Sequence, residues 1–442
     1  MRRMALHVRE HARDTAWALV DQGATLLAST LSFLLLGRTL GAAGYGAFVG
    51  LYALIGPFLA LGQTGVYLSA MEHIARLGET PGEVGRSCMS ITVLNALLWI
   101  PLLSAASLLW LKGLPTLAAV LLIGTEFFLT ALFMQSVGIV QAMTGFPAAA
   151  RLRISNSLLR IVPLAILAAT GSLTLITLAV AQAVTIGSMM LFAVSRTSRL
   201  AGAAVLPGPI RRRHVRSVLL YALQIGAGSV QSDGDKFALN AAHFQADAGR
   251  YGAAFRIMQF AWVPLLALMN ATHLSFLRAG QDANGQLRRA IRSSLIATAY
   301  GVPAALCLFL VAPLAPLVLT KDFSETTRML QWLAPLVVLR GQSTFPLNGL
   351  MGLGRNGLRA KLIVANALLA VLLYAALIPR YSWRGAFAAT LVTELWLSIS
   401  GWVALYRCER KRVPRPSGPP LAGLEGADCE TTMSSPPRAG WG

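Results

Sequence analysis

Eight ionisable side chains lie inside long apolar stretches of this sequence: Glu126, Arg160, Asp233, Asp235, Lys236, Arg256, Arg340 and Glu394. A charge at the centre of a membrane costs at least about 2.5–3.5 kcal/mol, so such groups are expected to face a partner or a water-filled cavity. A guanidinium such as that of Arg256 can hold a diphosphate through two parallel hydrogen bonds. Two alternatives stay open. Arg160 and Arg340 could reach the membrane interface along their flexible stems. Arg256 could instead form an ion pair with Asp235 or another acid.

Segment 217–242 is the most informative of these stretches. Spacings of four, three and four residues place four small or polar residues on one helical face: Gln224, Gly228, Gln231 and Asp235. Asp233 and Lys236 are three apart and are expected to pair, while Asp235 is expected to point elsewhere without a partner. A polar seam between helices is the alternative. A seam between helices does not need an unpaired carboxylate such as that of Asp235, so the pattern favours a water-filled cavity. In the next segment, Gln259 follows Arg256 by three residues and lies on the same face.

The elements that carry these residues are predicted to be membrane helices. The chain has 442 residues, of which 55% are hydrophobic and 13% charged, about half the charged fraction of a soluble domain. A membrane helix needs about 20 mostly apolar residues. Twelve segments qualify: 15–36, 45–70, 88–111, 114–142, 154–170, 173–194, 217–242, 251–277, 294–319, 329–351, 362–378 and 385–406.

The distribution of positive charge supports this count. If the N-terminus is cytoplasmic, the cytoplasmic loops and termini contain 27 of the 38 basic residues and the opposite loops contain 7. Such a bias is expected of a multi-pass protein with cytoplasmic ends. The net charge of +20 is therefore explained by topology, and no nucleic-acid-binding pattern accompanies it. We predict no nucleic-acid partner.

The chain divides into five regions. A basic N-terminus (1–14) precedes a six-helix half (15–194), a basic linker (195–216), a second six-helix half (217–406) and a disordered cytoplasmic tail (407–442). A short echo, Gly44-Tyr45-Gly46-Ala47 and Arg250-Tyr251-Gly252-Ala253, suggests that the halves are parallel repeats. Four widely spaced cysteines indicate neither a disulfide framework nor a metal site, and no Walker A motif is present. The sequence from Gly352 to Gly357 spells G-x-G-x-x-G, but it follows a predicted membrane helix rather than a strand, so it does not indicate a dinucleotide cofactor.

Three stretches resemble the polysaccharide flippases of the superfamily that also contains multidrug and toxic compound extrusion pumps and lipid II flippases. The first runs from Arg38 to Gly46. The second includes Asp235-Lys236, Gly249-Arg250-Tyr251, Ala254 and Arg256-Ile257. The third runs from Tyr381 to Ala386. The resemblance extends over residues 15–406. Lipid II flippases usually have two further helices, which disfavours that branch.

The resemblance implies an all-α integral membrane protein with two six-helix lobes around a central cavity. It also implies alternating access that moves an undecaprenyl-diphosphate-linked oligosaccharide. On that basis Lys236 and Arg256 are candidate headgroup ligands and Asp235 is a candidate ion-coupling acid. Intramembrane charge alone adds Arg160 and Arg340 as ligands and Glu126 and Glu394 as coupling acids. The polar faces add Gln231 and Gln259 as ligands.

We therefore expect a flippase for O-antigen or exopolysaccharide biosynthesis in a bacterial inner membrane. It would have no enzymatic activity and no cofactor, and it would act beside membrane lipid and a glycan polymerase or chain-length regulator. One alternative is an ion-coupled multidrug or metabolite antiporter of the same superfamily. A second is a membrane-embedded glycan polymerase or ligase, although the longest outer loop, around 319–329, offers no convincing catalytic set.

Overall fold

In the computed structural model, which describes residues 2–202, 206–278 and 285–410, every regular element is a helix. The predicted all-helical fold is confirmed for these residues. The predicted disordered tail lies outside them from residue 411 onward, and the side chains of residues 2–15 are also outside the described part.

Seven α-helices form the first half of the chain. They are α1 (Arg2–Leu59), α2 (Gly65–Ala75), α3 (Pro81–Trp110), α4 (Thr116–Gly124), α5 (Ala131–Thr144), α6 (Phe146–Ala169) and α7 (Leu175–Ala201). Two π-helical turns interrupt spans that the sequence predicted as continuous: Ala60–Thr64 joins α1 to α2, and Thr125–Thr130 joins α4 to α5. π-Turns inside helices often mark functional positions, and the second of these turns carries Glu126.

Seven more α-helices form the second half. They are α8 (Arg212–Ala241), α9 (Gln245–Arg278), α10 (Gln286–Val311), α11 (Ala315–Val318), α12 (Thr326–Leu333), α13 (Leu336–Gly352) and α14 (Asn356–Arg410). Short 3₁₀ turns at Ala312–Leu314 and Lys321–Phe323 flank α11. The predicted span 294–319 therefore breaks before its end, and the predicted span 329–351 divides between α12 and α13.

Helices α1 and α14 each contain a sharp kink. In α1 the kink is at Gly41, with φ 67°, a conformation that glycine adopts without strain. In α14 it is at Ser382, with φ 48°, where the side-chain hydroxyl donates to Asp247 Oδ2 at 2.6 Å. Each kink lies where we predicted a loop between two spans, so the connection between the helical segments is shorter than expected.

Seven helical runs of the described residues are long and apolar enough to cross a membrane. The first, Ala16–Ala75, has 60 residues and would be about 90 Å long if straight, about three times the hydrocarbon thickness. The last, Asn356–Arg410, has 55 residues, so both have room for two crossings. The polar helices α8 and α9 and the pair α12–α13 are not among the seven. Twelve crossings and the cytoplasmic location of both termini stay predictions.

The two halves meet tightly at one end of the bundle, here called the closed end. A Cβ atom on Gly46 would overlap the carbonyl oxygen of Gln245, and one on Gly249 would overlap that of Ala42. Asn240 Nδ2 donates to the Gly46 carbonyl at 3.0 Å. Glycine at these positions lets the part of α1 that follows the Gly41 kink approach the start of α9 closely.

The opposite end, here called the linker end, has a different arrangement. The first turns of α8 pack on the first half, where Val218 lies in one apolar cluster with Val66 of α2 and Val84 of α3. Ser90 Oγ donates to the carbonyl of Gly208 in the linker at 2.7 Å. The start of α8 is therefore attached to the first half, although the rest of that helix belongs to the second.

Candidate functional site

A cavity of about 620 Å³ lies between the two halves. Its walls come from α1, the π-turn after it, α6, α7, α8 and α9. It extends from the level of Tyr45 and Gly252, near the closed end, to the level of Thr64 and Gln259. Its volume falls within the range of about 300–1,000 Å³ that is typical of small-molecule pockets.

Four charged side chains line the cavity, three of them basic: Arg160, Lys236, Arg256 and Asp233. Four serines add hydroxyl groups to the same walls: Ser29, Ser32, Ser157 and Ser229. The lining therefore has a formal excess of positive charge and many groups that can hydrogen-bond to an oxygen-rich ligand. Gln259 also lines the cavity, whereas Arg340, Gln231, Asp235, Glu126 and Glu394 do not.

On the side of the first half, Arg160 is held by an acid behind the cavity wall. Arg160 Nη2 donates to Glu126 Oε1 at 2.9 Å, and the Arg160 side chain is 27% exposed while that of Glu126 is 5% exposed. Tyr52 Oη donates to the same carboxylate oxygen at 3.1 Å, and Gln63 Nε2 donates to Glu126 Oε2 at 2.9 Å. The π-turn thus places a fully hydrogen-bonded carboxylate beneath a guanidinium that still reaches the cavity.

Lys236 is also neutralised, but by two acids on its own helix. Its Nζ lies 3.0 Å from Asp233 Oδ1 and 3.2 Å from Asp235 Oδ1, and it lies 3.7 Å from the centroid of the Phe255 ring. The expected Asp233–Lys236 pair is present. The expectation that Asp235 lacks a partner is wrong, because the flexible lysine stem folds back far enough to reach both carboxylates.

Arg256 differs from the other two cations. Its Nη1 donates to Gln259 Oε1 at 3.1 Å, one turn further along α9. Within residues 2–202, 206–278 and 285–410, no carboxylate lies within ion-pair distance of its guanidinium, so the expected alternative of an Asp235 pair is absent there. A neutral amide occupies only part of the guanidinium's five-donor fork. Arg256 therefore presents uncompensated positive charge to the cavity.

Arg340 and Glu394 form a second arginine–glutamate pair away from the cavity. Arg340 Nε lies 3.1 Å from Glu394 Oε1, with side-chain exposures of 13% and 4%. Gln231 Nε2 donates to Glu394 Oε1 at 3.4 Å, and Ser343 Oγ donates to Glu394 Oε2 at 3.3 Å. Because α13 and α14 supply this pair, it lies inside the second half.

Phe255 separates this pair from the cavity. The Phe255 ring centroid is 4.7 Å from Arg340 Cζ and 3.7 Å from Lys236 Nζ. One aromatic ring therefore contacts two cations, a stabilising arrangement for each because the π-face is electronegative. The ring forms a wall between a cation that lines the cavity and a cation that does not.

The polar face of α8 that we assigned to the cavity is instead a seam within the second half. Gln231 contacts Glu394, and its carbonyl accepts from Tyr374 Oη at 3.3 Å. Asp235 Oδ2 accepts from Thr390 Oγ1 at 3.5 Å. The opposite face, with Ser229 and Asp233, lines the cavity. The error has a physical cause: Gln and Asp hydrogen-bond equally well to a neighbouring helix and to water. The side chain of Gln224 lies outside the described part.

A further polar cluster, at the linker end, was missed by sequence reasoning. His73 Nδ1 lies 2.6 Å from Glu79 Oε1, and His214 Nε2 lies 3.1 Å from Glu79 Oε2. Arg213 Nη2 and Arg211 Nη1 lie 2.8 and 3.6 Å from the same Oε2. The ligand atoms of His73, Glu79 and His214 lie within 4.8 Å of one another. Two arginines on the shared carboxylate disfavour a metal cation there.

The pKa values in this cluster shift for identifiable reasons. Burial raises the pKa of Glu79, but hydrogen bonds from His73 and His214 outweigh it, and the pKa lies below its ordinary value. Burial lowers the pKa of His214, and the contact with Glu79 offsets only part of that effect. The sequence offered no signal for this site, because His214 is 135 residues from Glu79.

Comparisons with known proteins agree with this architecture. The profile of the family described as "Polysaccharide biosynthesis protein" matches residues 11–271, more than half of the chain. A comparison with curated proteins finds no match.

Three solved structures are similar to the chain in fold. One is described as the inward-facing conformation of a multidrug resistance MATE family transporter of the MOP superfamily. It has a TM-score of 0.72 at 16% identity and covers 90% of this chain and 100% of its own. The second is described as the outward-facing conformation of a multidrug resistance MATE family transporter of the MOP superfamily. It has a TM-score of 0.60 at 17% identity and covers 90% of this chain and 97% of its own.

The third structure is a MOP superfamily transporter from Pyrococcus furiosus, described by a reverse polarity of its binding pocket that suggests a different function. It has a TM-score of 0.60 at 17% identity, with 90% of this chain and 96% of its own chain covered. The chain therefore has a MATE-like fold, and the resemblance to this superfamily stated from sequence is confirmed.

Proposed function

The chain belongs to the family of polysaccharide biosynthesis proteins, and from that premise we propose that it flips an undecaprenyl-diphosphate-linked oligosaccharide across a bacterial cytoplasmic membrane by alternating access. The movement would be from the inner to the outer leaflet, for O-antigen or exopolysaccharide biosynthesis. With the predicted topology, the linker end is cytoplasmic, and the described conformation would accept substrate from the inner leaflet.

The observation that carries this proposal is the charge of the cavity lining. Three basic residues and one acid line it, and of the basic residues Arg256 has only an amide partner. A diphosphate carries negative charge and presents oxygens at the spacing that a guanidinium fork matches. A cationic drug would meet repulsion from the uncompensated charge of Arg256, which disfavours the antiporter alternative.

Each lining residue then has a role. Arg256 binds the diphosphate directly. Arg160 and Lys236 approach it from the two walls, and both can exchange part of an existing ion pair for a phosphate oxygen. Gln259 orients the Arg256 guanidinium, and the serine hydroxyls and Gln182 hydrogen-bond to sugar hydroxyls. Arg340 and Gln231 support the wall rather than contact the ligand.

The ion-coupling role is assigned from the position of each acid relative to the ligand. Glu126 lies directly behind Arg160, so a phosphate that binds Arg160 would weaken the ion pair between Arg160 and Glu126. Asp235 and Glu394 lie in the seam between α8 and α14, away from the ligand. We assign Glu126 the coupling role closest to the substrate, with Asp235 and Glu394 as the second-half acids.

The test is transport of lipid-linked oligosaccharide into the opposite leaflet of proteoliposomes. The Arg256→Gln variant is expected to transport at least about tenfold more slowly at limiting substrate, because a hydrogen bond to a charged group contributes about 1.5–3 kcal/mol. The matched control is Arg328→Gln, which removes one positive charge from an exposed position on α12. If Arg256→Gln transports as fast as the control, the headgroup assignment fails. If the cells that express the protein instead gain resistance to cationic drugs, the antiporter alternative is correct.

A further inference from the structure

A second cavity, here called the α10–α14 groove, lies between helices α10 and α14, away from the first cavity. Its volume is about 720 Å³. Leu287 and Ile291 of α10 form one wall, and Trp402 and Val403 of α14 form the other. It shares no lining residue with the cavity between the halves. The proposed transport therefore does not account for it.

The apolar walls of the groove are open at the surface. Ile291 is 44% exposed and Val403 is 42% exposed. The backbone N–H of Leu287 donates to Glu409 Oε2 at 2.7 Å, so the last turn of α14 is tied to the first turn of α10. This hydrogen bond fixes the width of the groove at one end. In a membrane such a slot is filled by a lipid chain, because hydrocarbon is the surrounding solvent.

The same end of the groove is basic. Arg407 and Arg410 line it and are both exposed, and Arg410 Cζ lies 5.4 Å from the centroid of the Tyr406 ring. Arg288 and Arg292 are exposed on the facing first turns of α10. The nearby acid, Glu409, already caps α10. The rim is thus complementary to a negative headgroup.

The position of the aromatic residues agrees with a headgroup at this level. Trp402 and Tyr406 lie one turn apart on α14, and tyrosine and tryptophan are enriched where membrane helices reach the headgroup layer. Clustered arginines beside such a belt attract anionic lipid of the adjacent leaflet. The predicted topology places the end of α14 in the cytoplasmic leaflet.

We propose that the α10–α14 groove binds one anionic phospholipid, with its phosphate between Arg407 and Arg410 and an acyl chain along Leu287, Ile291 and Val403. The site is distinct from the transport cavity and does not depend on the proposed substrate. The bound lipid fills the gap between α10 and α14 and stabilises the second half.

The experiment uses the full chain purified in a neutral detergent. Native mass spectrometry and thermal unfolding are measured with phosphatidylglycerol and with phosphatidylcholine of the same chain length. We expect retention of one phosphatidylglycerol and a raised unfolding temperature, with no comparable effect of phosphatidylcholine. In Arg407→Gln/Arg410→Gln, affinity for phosphatidylglycerol is expected to fall about 30-fold.

Two further variants keep the test decisive. Arg407→Lys/Arg410→Lys retains the charge and is expected to recover most of the binding. Arg151→Gln is the matched control, since Arg151 Cζ lies 5.5 Å from the centroid of the Trp17 ring, at the same predicted side but outside the groove. Equal binding of the two phospholipids, unchanged binding by the double glutamine variant, or displacement by undecaprenyl phosphate at equal concentration would each overturn the proposal. The unfolding temperature without lipid shows whether each variant is folded.

Discussion

Each half of the molecule contains an arginine–glutamate pair among its intramembrane charges, and these two pairs differ in how they meet the cavity. In the first half, Arg160 lines the cavity and Glu126 lies behind it. In the second half, Arg340 and Glu394 both lie behind the wall that Phe255 and Lys236 form. The same ion-pair chemistry is therefore accessible in one half and enclosed in the other.

An intramembrane charge is therefore not by itself a ligand. An accessible pair can exchange its internal partner for a substrate phosphate, whereas an enclosed pair lacks access and instead holds helices together. The pairs also differ from Arg256, which faces the cavity with only an amide partner. Substitutions can therefore separate structural from ligand-binding roles.

The largest effect on stability is expected from breaking the enclosed pair. Arg340→Gln leaves the Glu394 carboxylate buried without its cation, and we expect a loss of about 3–5 kcal/mol, seen as a lower unfolding temperature in detergent. In Arg340→Gln/Glu394→Gln no uncompensated charge remains, and most of the loss should be recovered. Equal destabilisation by the single and double variants would show that the pair is not the source of the effect.

Breaking the accessible pair is expected to have a smaller effect on stability. In Arg160→Gln, Glu126 keeps the hydrogen bonds from Tyr52 and Gln63. The guanidinium that is removed borders the cavity, so water from the cavity can take its place and we expect a loss of about 1–3 kcal/mol. The same variant should weaken binding of the lipid diphosphate, whereas the Arg340→Gln/Glu394→Gln variant should not. If Arg340→Gln/Glu394→Gln weakens substrate binding more than Arg160→Gln does, the ligand-binding pair is Arg340–Glu394 and the structural pair is Arg160–Glu126, the opposite of what we propose.

The smallest effect is expected at the linker end, where one carboxylate joins the two halves. The pKa of His214 lies below 6.5 in the folded protein, so the unfolded chain binds more protons as the pH falls below about 6.5. The pKa of Glu79 lies below 4.5, so its contribution is lost only at still lower pH. Both effects have the same sign, and the unfolding temperature should fall steadily below about pH 6.5.

A matched variant isolates the histidine. His214→Asn should flatten the pH dependence of the unfolding temperature between about pH 6.5 and 5, since no group at this position then titrates. Arg76→Gln, at a mostly exposed side chain near the same end, is the control and should leave the slope unchanged. A wild-type unfolding temperature that rises on acidification through this range would contradict the expected loss of stability from protonation of His214.

Much of the fold could be predicted because lipid imposes simple rules on sequence. Apolar length and the bias of arginine and lysine indicated a multi-pass helical bundle, and the short stretches from Arg38 to Gly46 and around Arg256 indicated its superfamily. The kinks at Gly41 and Ser382 lie within connections that we predicted between spans, but the sequence did not indicate that one residue would make each break within an otherwise continuous helix. The π-turns leave no simple hydrophobic pattern either.

The site was harder to predict because the partners are far apart in sequence. Arg160 and Glu126 are 34 residues apart, and Arg340 and Glu394 are 54 residues apart, so helical spacing could not pair them. The intramembrane rule found all four residues without indicating which of them face the cavity. On α8, the choice between cavity and seam depended on which face meets α14, a property of tertiary packing. Arg256, Lys236 and Gln259 could be placed in one site from the sequence because they lie close together along the chain.

The diphosphate-binding role of the cavity is tested by the affinity of the purified chain in nanodiscs for undecaprenyl diphosphate, with undecaprenyl monophosphate as the comparison ligand. The wild-type chain should prefer the diphosphate. Arg256→Gln should lose about ten- to a hundredfold in affinity and most of that preference, and Arg256→Lys should lose less of the affinity. If Arg256→Gln binds both ligands as the wild type does, the cavity does not hold the diphosphate and the proposed flippase mechanism is contradicted.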